Sequence, residues 1–387
     1  MPASLQLYRT ISGLLLNAGV RFHDLRCQAT FLWAVVGLIL EKSVHLGQWS
    51  RHYPGETQQA SRERRFSRWL HNPNIDALGL YAKLFRYALR DLVDSEIFLA
   101  LDTSQLFDRF VLIRVALIYR GRSIPVAWSV VSGESSTLEL EKYWYVLWRA
   151  ETILFEYKRC VLLADRGFVD QKLFAFVRDL GWHMRIRVKE TLRVVRPGKE
   201  ALKIARLWPA KGQALFLHKV WITDKCFGPV YLALAQVQTA KGIQRWAILS
   251  DEPTDLNTFL EYGLRFDIEE SFLDDKSGGF QLESSELFDV HALSRLGFIM
   301  ATATLYLVSC GLAVVARGLR PLVDAHKQRG LSYFQIGWRW IKYALSHALT
   351  LFSFLLFDPL PDPYKVWPSR RSVKPSVVLA LAHSVLS

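Results

Sequence analysis

Residues 97–131 read IFLALDTSQLFDRFVLIRVALIYRGRSIPVAWSVV, and this stretch determines the predicted fold. Its first apolar run, 97–101, is typical of a buried strand and ends at Asp102. Two more apolar runs follow, separated by the turn Arg120-Gly121-Arg122. We therefore predict three consecutive strands, the second and third joined as a hairpin, with a carboxylate at the end of the first.

The combination of a strand and an aspartate occurs again downstream, in RCVLLADRGF. The apolar run 161–164 ends at Asp165, and helical patterns at about 137–154 and 170–180 flank it. A single aspartate at a strand end is most often a turn former or a helix cap. Two such aspartates also admit another interpretation, because strand-end carboxylates can converge on a pair of divalent cations.

A third carboxylate lies in EYGLRFDIEESFLDDKSGGFQLESS, residues 261–285. Tyr262, Arg265, Glu269 and Lys276 follow one another at intervals of three, four and seven residues. On an ideal helix these four side chains project into one arc about 60° wide, on the face away from the core. A predicted buried stripe lies on the other side: Leu260, Leu264 and Ile268. The simpler alternative is an i,i+4 ion pair between Arg265 and Glu269 on a solvated helix.

Together these residues resemble a known family. Asp102, Asp165 and Glu269 are similar to the DDE triad of bacterial insertion-sequence transposases. The spacing from Tyr262 to Lys276 resembles the Y-(2)-R-(3)-E-(6)-K signature of the cut-and-paste group that works through DNA hairpins. The DRGF around Asp165 and the KSGGFQLE run also look like that group, and the similarity covers about residues 98–286.

The resemblance implies an α/β fold with a ribonuclease-H-like mixed sheet, interrupted by a β-rich insertion at about 189–251. It implies that the triad holds two Mg²⁺ ions, for which Mn²⁺ can substitute. Tyr262, Arg265 and Lys276 would hold DNA phosphates. The implied partners are double-stranded DNA, as terminal inverted repeats and as target, and a second copy of the chain in a synaptic homodimer. The implied steps are nicking, hairpin formation, hairpin hydrolysis and strand transfer.

Three regions are predicted along the chain: a helical domain at 1–95, the catalytic domain at 96–300 and a basic helical region at 301–387. The resemblance implies that the first binds DNA ends and that the last makes dimer and DNA contacts. The first region contains SRERRFSRWL, in which Phe66, Trp69 and Leu70 share one helical side. Its cations are the candidates for binding transposon ends: Arg62, Arg64, Arg65 and Arg68. The alternative is an amphipathic helix with a solvated basic face.

Trp246 is predicted at the end of the β-rich insertion. A tryptophan in a strand is most often a core residue. The resemblance implies a second role, stacking on a base that flips out when DNA is bent into a hairpin.

Composition is compatible with a DNA partner, and equally with RNA or an acidic membrane. The chain has 387 residues and a net charge of +13, which suits a polyanion. Its four cysteines are widely spaced, which disfavours a zinc finger or a disulfide scaffold and fits a reducing cytoplasm. The resemblance implies that this is the cytoplasm of a bacterium, with the protein associated with the nucleoid.

Residues 296–316 carry no charge, so they are either a membrane span or a buried central helix, and we prefer the helix and predict no membrane partner. The run 344–357 is predicted as a core helix, and 376–387 as a short apolar helix. Two other classes remain open: a ribonuclease-H-like nuclease without strand transfer, and a non-catalytic DNA-binding or membrane protein.

Overall fold

The structure is a computed structural model that describes residues 2–133, 140–223, 225–364 and 375–378. These residues form two compact units, each discontinuous in sequence. Unit 1 comprises 1–95, 103–158 and 268–367, and unit 2 comprises 96–102, 159–267 and 368–387. The predicted regions, by contrast, are continuous stretches of chain.

Within the described residues the α-helices are α1 (Ala3–Asn17), α2 (Leu25–Glu41), α3 (Leu46–Trp49), α4 (Gln59–Leu70), α5 (Ala77–Ala88), α6 (Leu140–Leu154), α7 (Gln171–Asp179), α8 (Asn257–Gly263), α9 (Asp267–Leu273), α10 (Val290–Ala316) and α11 (Tyr333–Ser346). The strands are β1 (Glu96–Leu106), β2 (Phe110–Tyr119), β3 (Arg122–Ser132), β4 (Arg159–Ala164), β5 (His183–Arg187), β6 (Arg193–Val195), β7 (Leu202–Lys203), β8 (Ala214–Ile222), β9 (Phe227–Thr239), β10 (Gly242–Ser250) and β11 (Ser376–Val377).

The described chain is therefore mixed α/β, with eleven mostly antiparallel strands and flanking helices. This confirms the predicted α/β class. The predicted order of three strands, a helix, a strand, a helix and a strand is also confirmed, since β1, β2, β3, α6, β4, α7 and β5 follow in that order.

Unit 2 is built on three parallel strands. β1 pairs with β4, where Leu101 is opposite Ala164, and β4 pairs with β5, where Ala164 is opposite Ile186. β10 then joins β5 in the antiparallel sense, and the order continues through β9, β8, β6 and β7, with β11 on β9. The segment predicted as a β-rich insertion does form strands, β6 to β10.

Unit 1 contains the β2–β3 hairpin and the helix α10, which packs against α2, α5, α11 and β3. α10 is long and apolar enough to cross a membrane, but 94% of its most apolar window is buried inside the structure. Two glycines let α11 come close to it. A Cβ on Gly311 would lie 1.9 Å from the Tyr333 oxygen, and one on Gly337 would lie 1.8 Å from the Leu307 oxygen. This environment is that of a core helix.

The prediction of a core helix at 344–357 is wrong. α11 ends at Ser346, and residues 350–357 have no helical structure, although Leu351, Phe352 and Phe357 are buried. Side chains of α10 replace the helical hydrogen bonds, because the Tyr306 hydroxyl donates to the Phe352 carbonyl (3.2 Å) and the Leu356 N–H donates to Ser309 Oγ (2.7 Å). Of the predicted helix at 376–387, residues 376 and 377 form β11, and 379–387 lie outside the described residues.

Candidate active site

The two aspartates predicted at strand ends lie side by side in unit 2. Asp165 directly follows β4, as predicted, but β1 continues to Leu106, so the prediction that Asp102 ends its strand is wrong. Leu101 and Ala164 are the last paired positions of the parallel strands β1 and β4, and Asp102 and Asp165 follow them directly. Neighbouring strands lie about 4.8 Å apart, so both side chains belong to the carboxyl edge of the same parallel sheet. The sheet register therefore brings together two residues that are 63 positions apart in sequence.

Asp102 is held by an arginine from the signature. Arg265 Nη1 lies 3.0 Å from Asp102 Oδ2, and the two side chains are 7% and 16% exposed. Arg265 lies in a 3₁₀ turn, Leu264–Phe266, which connects α8 to α9. The pair places a cation beside one of the two carboxylates, in a mostly buried position where charge interactions are weakly screened.

Asp165 shapes the turn that follows β4. Its Oδ1 accepts a hydrogen bond from the Gly167 N–H at 2.7 Å, which caps the short helical turn Arg166–Phe168. The simpler interpretation of Asp165, as a turn former, is therefore correct as far as it goes. It leaves the second carboxylate oxygen for another role.

Tyr262 lies next to these groups but faces the core. Its side chain is 1% exposed and meets Trp246 edge-on, with ring centroids 5.1 Å apart. Burial raises the pKa of the Tyr262 hydroxyl, while Arg265 and Arg187 lower it and Asp165 raises it further. The hydroxyl is therefore a neutral hydrogen-bonding group at neutral pH, in the electrostatic field of the site.

Arg187 is a site residue that the sequence reasoning missed. It follows Ile186, the register partner of Ala164, so it stands next to Asp165 at the end of β5. It donates to the Arg245 carbonyl at 3.0 Å. Burial lowers the pKa of the Arg187 guanidinium, and the nearby Tyr262 and Asp165 partly offset this lowering. The signal was present in the sequence, since HMRIR reads as a short strand that ends in a charged residue.

The predicted helix geometry around Tyr262 needs correction. Tyr262 and Arg265 are buried, and Leu260, predicted in the buried stripe, is 53% exposed. The segment is not one ideal helix, because the 3₁₀ turn Leu264–Phe266 lies between α8 and α9 and a π-helical turn, Asp274–Gly278, follows α9. A 3₁₀ turn advances about 120° per residue, so three such residues rotate the following side chains by roughly 60° relative to an α-helix.

Glu269 and Lys276 belong to unit 1. Glu269 is exposed on α9. Lys276 Nζ donates to the Gln105 carbonyl at 2.7 Å and lies 3.1 Å from Glu283 Oε1. The structure thus brings Asp102, Asp165 and Arg265 together within unit 2, and the convergence of Glu269 on them stays a prediction.

Trp246 is a core residue in this structure, as the simpler alternative had it. Its side chain is 0% exposed, and its ring stacks on Phe266 with centroids 5.7 Å apart and planes at 23°. The Arg187 guanidinium lies 5.5 Å from the centroid of the same ring. A base could stack on Trp246 only after one of these neighbours had moved.

The helix α4 is amphipathic, as predicted, and the side shared by Phe66, Trp69 and Leu70 is its buried side. The Trp69 indole N–H donates to the Cys27 carbonyl at 3.0 Å. Arg62 donates to the Tyr53 carbonyl at 3.0 Å, and Arg65 donates to the Tyr53 hydroxyl at 2.9 Å. The remaining two cations, Arg64 and Arg68, are exposed and are the better placed for a phosphate backbone.

A second cluster of ionisable groups lies at the opposite, amino edge of the parallel strands. His183, Asp251 and Glu252 could geometrically surround a metal ion. Arginines already bind its acids, however: Arg159 donates twice to Glu252, at 2.7 and 2.8 Å, and Arg185 once, at 3.0 Å. Burial would raise the pKa of Glu252, but these hydrogen bonds outweigh it and lower the pKa. The cluster is therefore best described as an ion-pair network.

The donor set at the carboxyl edge fits magnesium. Carboxylate oxygens are the ligands that Mg²⁺ prefers, and two carboxylates on neighbouring strands suit a pair of ions about 3.5–4 Å apart. No family model matches the chain, and a search of curated proteins finds no match either. The residues themselves therefore carry the functional argument.

Proposed function

We propose that this protein is a DDE transposase that excises an insertion sequence and joins it to target DNA. The observation that carries the proposal is that Asp102 and Asp165 lie side by side, each one residue beyond the last pair of the parallel strands β1 and β4, with the signature residue Arg265 bound to Asp102. The fold proposed with it is ribonuclease-H-like. A turn former alone would account for Asp165, but it would not require an aspartate at the same level of the neighbouring strand.

In this proposal Asp102, Asp165 and Glu269 hold the two Mg²⁺ ions. When bound, these ions would activate the attacking water or 3′-hydroxyl and stabilise the leaving oxygen. Arg265 orients the Asp102 carboxylate, because a guanidinium at 3.0 Å fixes the direction of the oxygen that it binds. Lys276 and two exposed arginines of α4, Arg64 and Arg68, attract and position the phosphates of the terminal repeat.

The proposed partners follow from the same reaction. Two transposon ends must be processed together, so the working form is a homodimer on double-stranded DNA, in the bacterial cytoplasm. The net charge of +13 supports a polyanionic partner.

The test is cleavage of a labelled duplex that carries the terminal inverted repeat found beside the gene. The purified protein should cut it in Mg²⁺ or Mn²⁺, give a hairpin, and join the released 3′ end to a target plasmid. Cutting without joining, under conditions that assemble both ends, would instead support a ribonuclease-H-like nuclease.

A further inference from the structure

Two arginines of the β2–β3 hairpin in unit 1 form ion pairs with the helical segment that carries Glu269. Arg114 on β2 lies 2.5 Å from the Asp275 carboxylate, and both side chains are less than 10% exposed. Arg122 on β3 donates from Nε to Asp274 Oδ2 at 3.0 Å. Two neighbouring carboxylates of one turn are thus bound to two different arginines of one hairpin.

Further contacts join the same two elements. The Ser123 N–H donates to Ser271 Oγ at 2.9 Å, and the Ser271 hydroxyl donates back to the Ser123 carbonyl at 3.2 Å. The Arg114 guanidinium also lies 5.0 Å from the centroid of the Phe272 ring. These bonds come from both ends of the segment 271–275, so they restrain rotation of the helix about its own axis as well as its position.

The turn that presents the two aspartates is irregular. Residues Asp274–Gly278 form a π-helical turn, closed by the Phe280 N–H on the Asp274 carbonyl at 2.9 Å. A Cβ on Gly279 would lie 2.5 Å from that carbonyl oxygen, so the closure requires glycine. Short π-helical turns are often found at functional sites. Here the turn follows α9, which carries Glu269, and itself contains Lys276, the other signature residue of unit 1.

We propose that Arg114 and Arg122 are positioning residues that set the direction of Glu269 by holding Asp275 and Asp274. This inference rests on the proposed function, because it assumes that Glu269 is a metal ligand. The hairpin contacts Ser271, Phe272, Asp274 and Asp275, and Glu269 lies exposed on the same helical segment. Outer residues that orient a metal ligand typically change metal affinity by about 10- to 100-fold.

The test uses the half-buried pair, because removing a member of the buried Arg114–Asp275 pair endangers folding. Arg122→Gln and the isosteric Asp274→Asn are made in the full-length protein, alone and combined with Glu269→Gln. Arg120→Gln is the matched control, because Arg120 lies in the same hairpin turn but donates to the Leu360 carbonyl at 2.8 Å instead of to this helix. Binding of Mn²⁺ alone is measured by the paramagnetic resonance of the free ion, beside thermal melting.

We expect Arg122→Gln and Asp274→Asn each to weaken Mn²⁺ binding about tenfold, and neither to weaken it further in the Glu269→Gln background. Arg122→Lys should recover part of the affinity, and Arg120→Gln should keep all of it. Unchanged Mn²⁺ affinity in Arg122→Gln, with Glu269→Gln clearly impaired, would overturn the positioning role while leaving the proposed function standing. If Glu269→Gln does not change Mn²⁺ binding, Glu269 is not a metal ligand, and both the proposed function and this inference are wrong.

Discussion

Asp102 and Asp165 occupy equivalent positions on two adjacent parallel strands, one residue beyond the paired Leu101 and Ala164. Each has a different partner: the Arg265 guanidinium for Asp102, and the Gly167 N–H for Asp165. We interpret this arrangement as two metal ligands held in fixed directions, Asp102 by Arg265 of the 3₁₀ turn Leu264–Phe266 and Asp165 by the turn that directly follows it.

The first prediction concerns the triad. Asp102→Asn, Asp165→Asn and Glu269→Gln each remove a charge with almost no change in volume, so each should reduce cleavage by more than about a hundredfold, beyond the 10- to 100-fold typical of outer residues. Binding to the terminal repeat, measured by mobility shift, should persist. Asp94→Asn is the control, because Asp94 is an 80% exposed carboxylate just before β1 and pairs with Lys158. A triad variant that cuts at the wild-type rate would show that its residue is not a ligand.

Arg265 should have a mixed effect. Arg265→Ala leaves Asp102 without its ion-pair partner in a mostly buried position, and the loss of such a partner costs about 3–5 kcal/mol when burial is complete. We expect a lower melting temperature and slower cleavage. If Arg265 also meets a phosphate, the salt dependence of DNA binding should fall by at most about one contact. A variant with unchanged melting temperature and unchanged rate would contradict the role assigned to this pair.

Trp246→Ala tests whether this side chain serves the core or the DNA. Because Trp246 is fully buried, its truncation to alanine should lower the free energy of unfolding by about 3–5 kcal/mol. The rates of nicking and of hairpin formation should then fall together. Trp246→Phe, which keeps an aromatic ring against Phe266, should be milder. Thermal melting is compared with gel assays of each step. A normally stable variant that fails only at the hairpin would restore the base-flipping role.

The exposed arginines of α4 should act on binding alone. Arg64→Ala and Arg68→Ala are expected to weaken binding to all DNA and to lower the salt slope by about one each, with no change in melting temperature. Lys83→Ala is the matched control, since Lys83 is an exposed cation on the neighbouring helix α5. Equal losses in Lys83→Ala would mean that α4 provides only general positive charge.

Asp274 gives a pH dependence with a definite sign. Burial raises the pKa of its carboxyl from the ordinary value of 3.8 to about 6, although Arg122 opposes the shift. The folded protein therefore holds this proton more tightly than the unfolded chain does. The stability contributed by the group is full below about pH 3.8 and is lost as the pH rises to about 6. The upper bound of this loss is roughly 3 kcal/mol.

Asp274→Asn removes this titration. The melting temperature of the variant, taken relative to wild type, should therefore rise between pH 4 and pH 6 and then stay level. Differential scanning calorimetry across that range measures it. A difference that is constant with pH would show that Asp274 titrates normally.

The sequence was informative where a local pattern decides the structure. The strand that ends at Asp165, the hairpin after Asp102 and the amphipathic helix α4 all follow from apolar periodicity and turn residues. The exposed Leu260 and the buried Tyr262 did not follow, because a helical wheel assumes a constant rotation per residue and the 3₁₀ turn changes it.

Tertiary contacts decided the other differences. The run 344–357 has a helical composition, but hydrogen bonds to Tyr306 and Ser309 of α10 hold it in a non-helical path. Arg187 reaches the site only through the register of β4 with β5, which links positions that are distant in sequence. The local sequence shows that Arg187 ends a strand, but not that β4 is the neighbouring strand, and it gives no sign of the hydrogen bonds to Tyr306 and Ser309.

The central claim is metal-dependent DNA breakage and joining by Asp102, Asp165 and Glu269. The most direct test incubates the wild-type protein and Asp165→Asn with a duplex that carries the terminal repeat and with a target plasmid, in Mg²⁺ and in EDTA. The account predicts cleaved ends and joined plasmid only for the wild type in Mg²⁺. Products of equal amount in EDTA, or from Asp165→Asn, would contradict it.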